Sequence, residues 1–161
     1  MSAIIPKVTK LSPLITRVLG CNPGLMTLQG TNTYLVGRGR KRLLIDTGEP
    51  NIPQYVANLK TVIDDNDIQL SQIVITHWHH DHIGGVADVL NTLRLSDTEC
   101  KIYKICSEEH DKQYSSAFKM NYLSDGQKLS ADGVTLRVVA TPGHTTDHLV
   151  LVLEEENALF S

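Results

Sequence analysis

The sequence lacks the features that mark secreted, disulfide-bonded and membrane-spanning proteins. Its three cysteines, Cys21, Cys100 and Cys106, are odd in number and form no C-x-x-C pair, so no disulfide framework is expected. No apolar run approaches the roughly 20 residues of a membrane span. Residues 1–20 contain no compact apolar core followed by a small-residue cleavage site. We therefore expect an intracellular protein with no membrane partner.

Acidic residues are absent before Asp46, although the whole chain has a net charge of −3. That net charge creates no general field that would by itself indicate a nucleic-acid partner. The basic N-terminal stretch fits two interpretations, a mitochondrial targeting segment and a first β-strand with solvent-facing lysines. The basic run at 38–42 most simply forms a solvated hairpin end. The basic residues that precede Asp46 are Lys7, Lys10, Arg17, Arg38, Arg40, Lys41 and Arg42.

The chain also lacks a recognisable covalent nucleophile. Neither a G-x-S-x-G elbow nor a Cys–His pairing is present, and Cys21 in GCNPG is expected to be a packed or loop thiol. Hydrolysis by a serine or cysteine enzyme mechanism is therefore not predicted.

The length of 161 residues, with 41% hydrophobic and 20% charged residues, fits one domain with its own core. Strands predominate and helices interrupt them at two points without a strict βαβ repeat, which favours mixed sheets with helices outside. Residues 108–120 are expected to form a loop or weak helix. The predicted strands are 14–20, 31–37, 42–46, 72–76, 101–106, 135–141 and 148–154, and the predicted helices are 53–65 and 86–93.

Four of the seven histidines fall within HWHHDH, directly after the buried strand QIVIT. His77 and His79 point to the same side of an extended segment, because side chains alternate along it. If a helix begins near Gly84, Asp81 and His82 approach the same space from another direction. Two such pairs can face two neighbouring metal positions. Imidazole and carboxylate ligands suit zinc, with iron or manganese as second choices.

Four further residues complete the predicted site. His144, on the turn after Pro142, can supply a third nitrogen and leave one metal position open for water. Asp46, at the end of an apolar strand, either accepts a hydrogen bond from a ligating imidazole or forms a turn. His80 breaks the alternation and is predicted to be a non-ligand neighbour or a substrate-side residue. His148 either lines the cleft or is a strand-edge histidine.

The stretches LLIDTG, THWHHDH and TPGHT, in that order, resemble the metallo-β-lactamase superfamily, and more closely a group of animal endoribonucleases within it. The resemblance implies an αββα sandwich with two zinc ions at one edge. It implies that His77, His79 and His144 bind the first zinc and that Asp81 and His82 belong to the second. Asp81 would also orient a hydroxide between the metals. The implied substrate is single-stranded RNA and the implied compartment is the mitochondrial matrix.

Proteins of this group continue into a metal-bridging aspartate, a further histidine and a helical C-terminal domain, which residues 1–161 do not contain. We therefore expect an N-terminal portion of the domain that ends roughly after the first sheet and its helices. It would bind two zinc ions, one or none, and could self-associate through an unfinished sheet edge. The alternatives are a glyoxalase II-like thioester hydrolase and a truncated, noncatalytic form that binds at most one metal. Lactam hydrolysis is a distant third.

Overall fold

A computed structural model of the chain describes residues 3–161, which form two β-sheets and a few helices. No helix in that range has the length and apolar character of a membrane span. The strands are β1 (Val8–Lys10), β2 (Ile15–Leu19), β3 (Asn32–Val36), β4 (Lys41–Ile45), β5 (Gln69–Val74), β6 (Lys101–Lys104), β7 (Met120–Tyr122), β8 (Lys128–Ala131), β9 (Val134–Ala140), β10 (Leu149–Leu153) and β11 (Ala158–Phe160). The helices are α1 (Pro53–Asp65), α2 (His80–Ile83) and α3 (Val86–Leu93), with a 3-10 helix at Asp111–Tyr114.

The first sheet has seven strands in chain order, β1 to β7. Pairing is antiparallel from β1 to β4 and parallel from β4 to β7. The second sheet has four antiparallel strands in the order β11-β10-β9-β8. Because β4, β5 and β6 run parallel, their carboxyl ends meet at one edge of the first sheet, where α/β proteins characteristically bind ligands.

Two apolar clusters separate the layers. The first cluster lies between the first sheet and the helices α1, α2 and α3, and its Tyr55, Leu59 and Ile83 are fully buried. The other fills the space between the sheets and includes Leu43 and Leu151. The helices therefore cover one face of the first sheet, and the second sheet covers its other face. This layering confirms the predicted metallo-β-lactamase sandwich. The chain extends further into that fold than expected, because it also builds four strands of the second sheet.

Helix α1 has the predicted bounds, and the segment 108–120 forms the predicted loop with a weak helix, except at its end. It contains the 3-10 helix, and its last residue, Met120, begins β7. Strand β7 has only three residues, and all of them are partly or fully exposed. So short and poorly buried a strand leaves no alternating apolar pattern for sequence reasoning to detect.

The basic run at 38–42 lies at the β3–β4 hairpin, as predicted for a solvated turn. Arg40 forms an exposed ion pair with Asp67 at 3.4 Å, and the Lys41 amide donates to Asp132 Oδ2 at 2.9 Å. Strand β4 has five residues and leads from this hairpin to Asp46. At roughly 3.3 Å per residue, Arg42, the nearest residue of the basic run, lies about 13 Å along the strand from Asp46.

Candidate metal centre

The candidate site lies where the segments after β4, β5 and β9 converge. Asp46 follows β4, and its φ of 58° puts it in the left-handed region that aspartate tolerates better than most residues. The Thr76–His82 segment follows β5, and the 141–148 loop joins β9 to β10. A bond from the Leu149 amide to the Thr76 carbonyl at 3.0 Å ties this loop to the histidine segment.

Three imidazole nitrogens face one another at this point. His77 Nε2 lies 3.1 Å from His79 Nδ1, and His144 Nε2 lies 3.1 Å from the same atom. The three nitrogens all lie within 4.8 Å of one another. A tetrahedral zinc with Zn–N bonds of about 2.0–2.1 Å holds its nitrogen ligands roughly 3.3 Å apart. The donor set and its spacing therefore fit a metal ion.

The proton count supports a cation at this position. His77 Nε2 carries no proton when its Nδ1–H donates to Thr76, so at most one of the two 3.1 Å contacts at His79 Nδ1 can be a well-aligned hydrogen bond. A metal ion satisfies all three lone pairs at once. His77, His79 and His144, which sequence reasoning predicted as first-site ligands, are thus brought together by the fold.

Asp46 and Thr76 orient the histidines from behind. The Thr76 amide donates to Asp46 Oδ1 at 2.8 Å, and its hydroxyl donates to Asp46 Oδ2 at 2.9 Å. With its proton committed to the carboxylate, the hydroxyl accepts from His77 Nδ1–H at 2.9 Å. His82 Nδ1 donates to Asp46 Oδ2 at 2.7 Å. Both imidazoles therefore keep Nε2 free as a ligand atom, the orienting contact characteristic of metal sites.

Asp81 and His82 form a second pair beside the three nitrogens. Asp81 Oδ2 lies 3.4 Å from His82 Nε2 and accepts a long hydrogen bond from the Thr31 hydroxyl at 3.4 Å. The His77 and His82 ring centroids are 4.1 Å apart. Neither Asp81 nor His82 belongs to the three-nitrogen group, and their assignment to a second metal position stays a prediction.

His80 and His148 lie outside the three-nitrogen group. The His80 side chain is 71% exposed, and its Nε2 lies 3.5 Å from Glu49 Oε1. Its role as a non-ligand neighbour or a substrate-side residue stays a prediction. His148 Nδ1 hydrogen-bonds to the Thr141 hydroxyl at 2.8 Å, and its ring centroid lies 5.3 Å from that of His77. Its place on the substrate side stays a prediction.

Burial and neighbouring rings favour the neutral form of three of these imidazoles. Burial, with the neighbouring rings adding to it, lowers the pKa of His77 to about 2. Burial also lowers the pKa of His79 and of His148. For His82 burial is the largest influence and lowers the pKa, but the hydrogen bond to Asp46 and the negative charges of Asp46 and Asp81 together outweigh it, so the pKa is raised. Neutral nitrogens are the form that binds metal.

An open cleft of about 570 Å³ leads to the histidines. One side carries Leu25 and Met26, whose side chains are 98% and 91% exposed, at the tip of the turn closed by Gly24 and Leu28. Glu49 also lines this cleft. Among residues 3–161, no lysine or arginine lines this cleft.

Sequence reasoning missed three residues around the site. Thr76 and Trp78 lie within the histidine motif, but their roles depend on partners far along the chain. Trp78 stacks on His110, with ring centroids 3.7 Å apart and an interplanar angle of 13°, and its ring lies 4.6 Å from that of His79. The third residue is the buried Lys104. A lysine within a predicted strand carries no signal of burial, and nothing local links His110 to Trp78.

This fold and this histidine arrangement define a class of metal-binding hydrolases. The sequence model of the metallo-beta-lactamase superfamily matches residues 26–161, and the chain belongs to that superfamily. The superfamily comprises metal-dependent hydrolases, and its fold binds divalent metals, typically zinc.

Among individual proteins, the chain is similar to the beta-lactamase-like protein 2 homologs of two animals. It is 44% identical to that of Drosophila melanogaster over 99% of this chain and 55% of the relative. It is 46% identical to that of Caenorhabditis elegans over 98% of this chain and 52% of the relative. Thioesterase pkgB of Emericella nidulans is 44% identical over 98% of this chain and 43% of the relative. The chain therefore spans about half the length of the curated relatives it matches.

Solved structures support the fold. The Rm3 metallo-beta-lactamase has a TM-score of 0.67 at 24% identity, over 92% of this chain and 56% of that one. The flavodiiron protein of Giardia intestinalis has a TM-score of 0.74 at 16% identity, over 99% of this chain and 41% of that one. At such identities the likeness concerns the fold alone.

Proposed function

We propose that this chain carries the first metal site of a zinc-dependent endoribonuclease that cleaves single-stranded RNA. The observation that carries the proposal is the convergence of His77 Nε2, His79 Nδ1 and His144 Nε2, with Asp81 and His82 as a neighbouring pair. The similarity to the beta-lactamase-like protein 2 homologs supports the choice of family member. The mitochondrial matrix is the compartment proposed with it.

The residues would divide the work as follows. His77, His79 and His144 would hold one ion, and Asp81 and His82 would provide ligands to a second. Zinc, when bound, would lower the pKa of a coordinated water to near 7 and stabilise charge on the phosphoryl oxygens. Asp81 would accept a hydrogen bond from the attacking water and thereby orient it toward the phosphorus.

The Trp78–His110 stack supports a nucleic-acid substrate. This flat pair is partly exposed and directly adjoins His79. Aromatic side chains beside a hydrolytic centre offer a surface on which unpaired bases stack, which contributes about 1–3 kcal/mol per base. The basic run at 38–42 contributes little here, because it lies at the far end of β4.

Thioester hydrolysis is the second candidate, and the residues that line the cleft favour it. The exposed Leu25 and Met26 offer an apolar surface for an acyl chain, and Glu49 is unfavourable for a polyanion. The fungal relative named a thioesterase is as similar as the Drosophila homolog, at 44% identity in each case.

One experiment separates these functions. The purified chain is loaded with zinc, its metal content is measured, and it is assayed in parallel on labelled single-stranded RNA and on an acyl thioester. His79→Ala is expected to abolish first-site zinc binding and RNA cleavage, whereas exposed Lys101→Ala retains both. Thioester cleavage alone would replace the first candidate with the second. No turnover by a zinc-bound chain would favour the noncatalytic alternative.

His110→Ala tests the RNA proposal separately from metal binding. The ring is outside the three-nitrogen group, so zinc content should stay at the wild-type value. RNA affinity should fall roughly 5- to 150-fold, the equivalent of about 1–3 kcal/mol of stacking. Unchanged RNA affinity would contradict the stacking role, and lost zinc would show that the ring supports the metal site instead.

Self-association remains a prediction. Within residues 3–161, β11 is an outer strand of the second sheet, and its Leu159 is 64% exposed. An exposed edge with an apolar side chain favours pairing with another chain. Light scattering across a concentration series should show a rising mass, and a constant monomer mass would contradict it.

A further inference from the structure

Lys104 ends β6 as a completely buried lysine. Its ammonium lies 2.7 Å from the Ile105 carbonyl, 2.6 Å from Asp111 Oδ1 and 3.0 Å from Asp147 Oδ2. The lysine side chain is 0% exposed, and both carboxylates are buried with it. One cation therefore joins three segments of the chain.

A buried charge cluster of this kind is a poor device for stability alone. Desolvating an ammonium and two carboxylates costs several kcal/mol per ion, and well-packed apolar side chains often stabilise such a space equally well. The ammonium, however, makes directed contacts of 2.6 Å and 3.0 Å to carboxylates on two separate loops. The two loops on Lys104 are those that flank the histidine site.

The first loop, 141–148, presents His144. It closes with a bond from the Thr141 amide to the His148 carbonyl at 2.9 Å. Asp147 anchors its interior, and its side chain is 0% exposed. No group among the described residues forms a well-aligned hydrogen bond to either Asp147 oxygen, so the Lys104 ammonium is its polar anchor there.

The second loop, 105–111, carries His110. Asp111 Oδ2 accepts a hydrogen bond from the Ser107 amide at 2.8 Å, while Oδ1 contacts Lys104. The hydrogen bond to Ser107 closes the loop, and the contact with Lys104 holds it against the end of β6. His110, next to Asp111, is then placed against Trp78, between His77 and His79 in the chain.

We infer that Lys104 is a positioning residue for the three-histidine site, acting through Asp147 on His144, and that through Asp111 it separately holds the loop that places His110 against Trp78. The inference rests on the proposed first metal site. Its consequence is that the folded chain without this ammonium binds zinc more weakly, because His144 no longer lies in a fixed position near His79.

The test measures zinc affinity by competition with a chromophoric chelator, on variants shown to be folded by circular dichroism. Lys104→Met and Asp147→Asn are each expected to bind zinc roughly 10- to 100-fold more weakly, the usual effect of losing an outer contact to a metal site. Lys101→Met, three residues earlier on β6 and exposed, should match the wild type. If Lys104→Met does not fold, Asp147→Asn decides, because it keeps the side-chain shape and the other two Lys104 contacts.

A second readout needs no metal. In the metal-free protein, amide hydrogen exchange at Thr141 and Leu149 should accelerate at least tenfold in both variants, whereas exchange at Tyr34 in β3 should not change. Unaltered exchange at Thr141 and Leu149 with wild-type zinc affinity would overturn the inference. A wild-type chain that binds no zinc would refute the proposed function instead, and the exchange data would still decide the role of Lys104.

Discussion

Thr76→Val is the sharpest test of how the histidines are held. The hydroxyl of this fully buried residue donates to Asp46 Oδ2 and accepts from His77 Nδ1, both at 2.9 Å. Valine has nearly the same shape but cannot form either bond. Asp46 keeps its contacts with the residue-76 amide and with His82, so the change removes one link of the network.

The expected loss follows from those two bonds. A hydrogen bond to a charged group contributes about 1.5–3 kcal/mol, and leaving the buried His77 Nδ1 without a partner costs about 1 kcal/mol more. The free energy of unfolding of the metal-free protein should therefore fall by about 2.5–4 kcal/mol. Zinc affinity should fall roughly 10- to 100-fold, because the tautomer and orientation of His77 are no longer held.

Urea denaturation of the chelated protein measures the stability, with the single tryptophan, Trp78, as a fluorescent reporter beside the site. Chelator competition measures the zinc affinity. Thr76→Ser is the matched control: it keeps the hydroxyl, loses one methyl group, and should bind zinc like the wild type. Equal zinc affinity in the valine and serine variants would refute the orienting role of this hydroxyl.

The remaining predictions concern pH, a close backbone approach and metal removal. His77, with its pKa lowered from 6.5 to about 2, stays neutral in the folded chain where an unfolded histidine is protonated. The chelated protein should therefore lose stability as pH falls below about 6.5, by about 1.4 kcal/mol per pH unit from this residue. In denaturation measured across this pH range, the free energy of unfolding of His77→Gln should fall less steeply with decreasing pH than that of the wild type. Equal slopes in the two proteins would contradict the lowered pKa of His77. Gly85→Ala should destabilise by about 2 kcal/mol or more, because its new Cβ would meet the Thr47 carbonyl, whereas Gly143→Ala, with open space around it, should be near neutral in the same assay. Zinc at 100 times its dissociation constant should stabilise the chain by about 2.7 kcal/mol, and thermal unfolding that does not respond to EDTA would contradict specific binding.

Local patterns were sufficient to predict much of the fold. The helical spacing of Val56, Leu59 and Ile63 predicted α1 because those residues share one helix face. The run QIVIT predicted a buried strand that leads into the metal motif. The three-residue β7 was missed, since its pairing with β6 supplies what its own pattern lacks.

The sequence by itself determined the kind of chemistry, because H-x-H-x-D-H places several ligand types on one short segment whose backbone geometry is local. Only the tertiary structure decided which nitrogen of each histidine faces its neighbours and what holds it there. Asp46 and Thr76 are 30 residues apart and meet because β4 and β5 are parallel neighbours. Lys104 meets Asp147 across two loops that no local pattern connects. Contacts of this kind depend on strand order and burial, which are properties of the whole fold and not of any short segment.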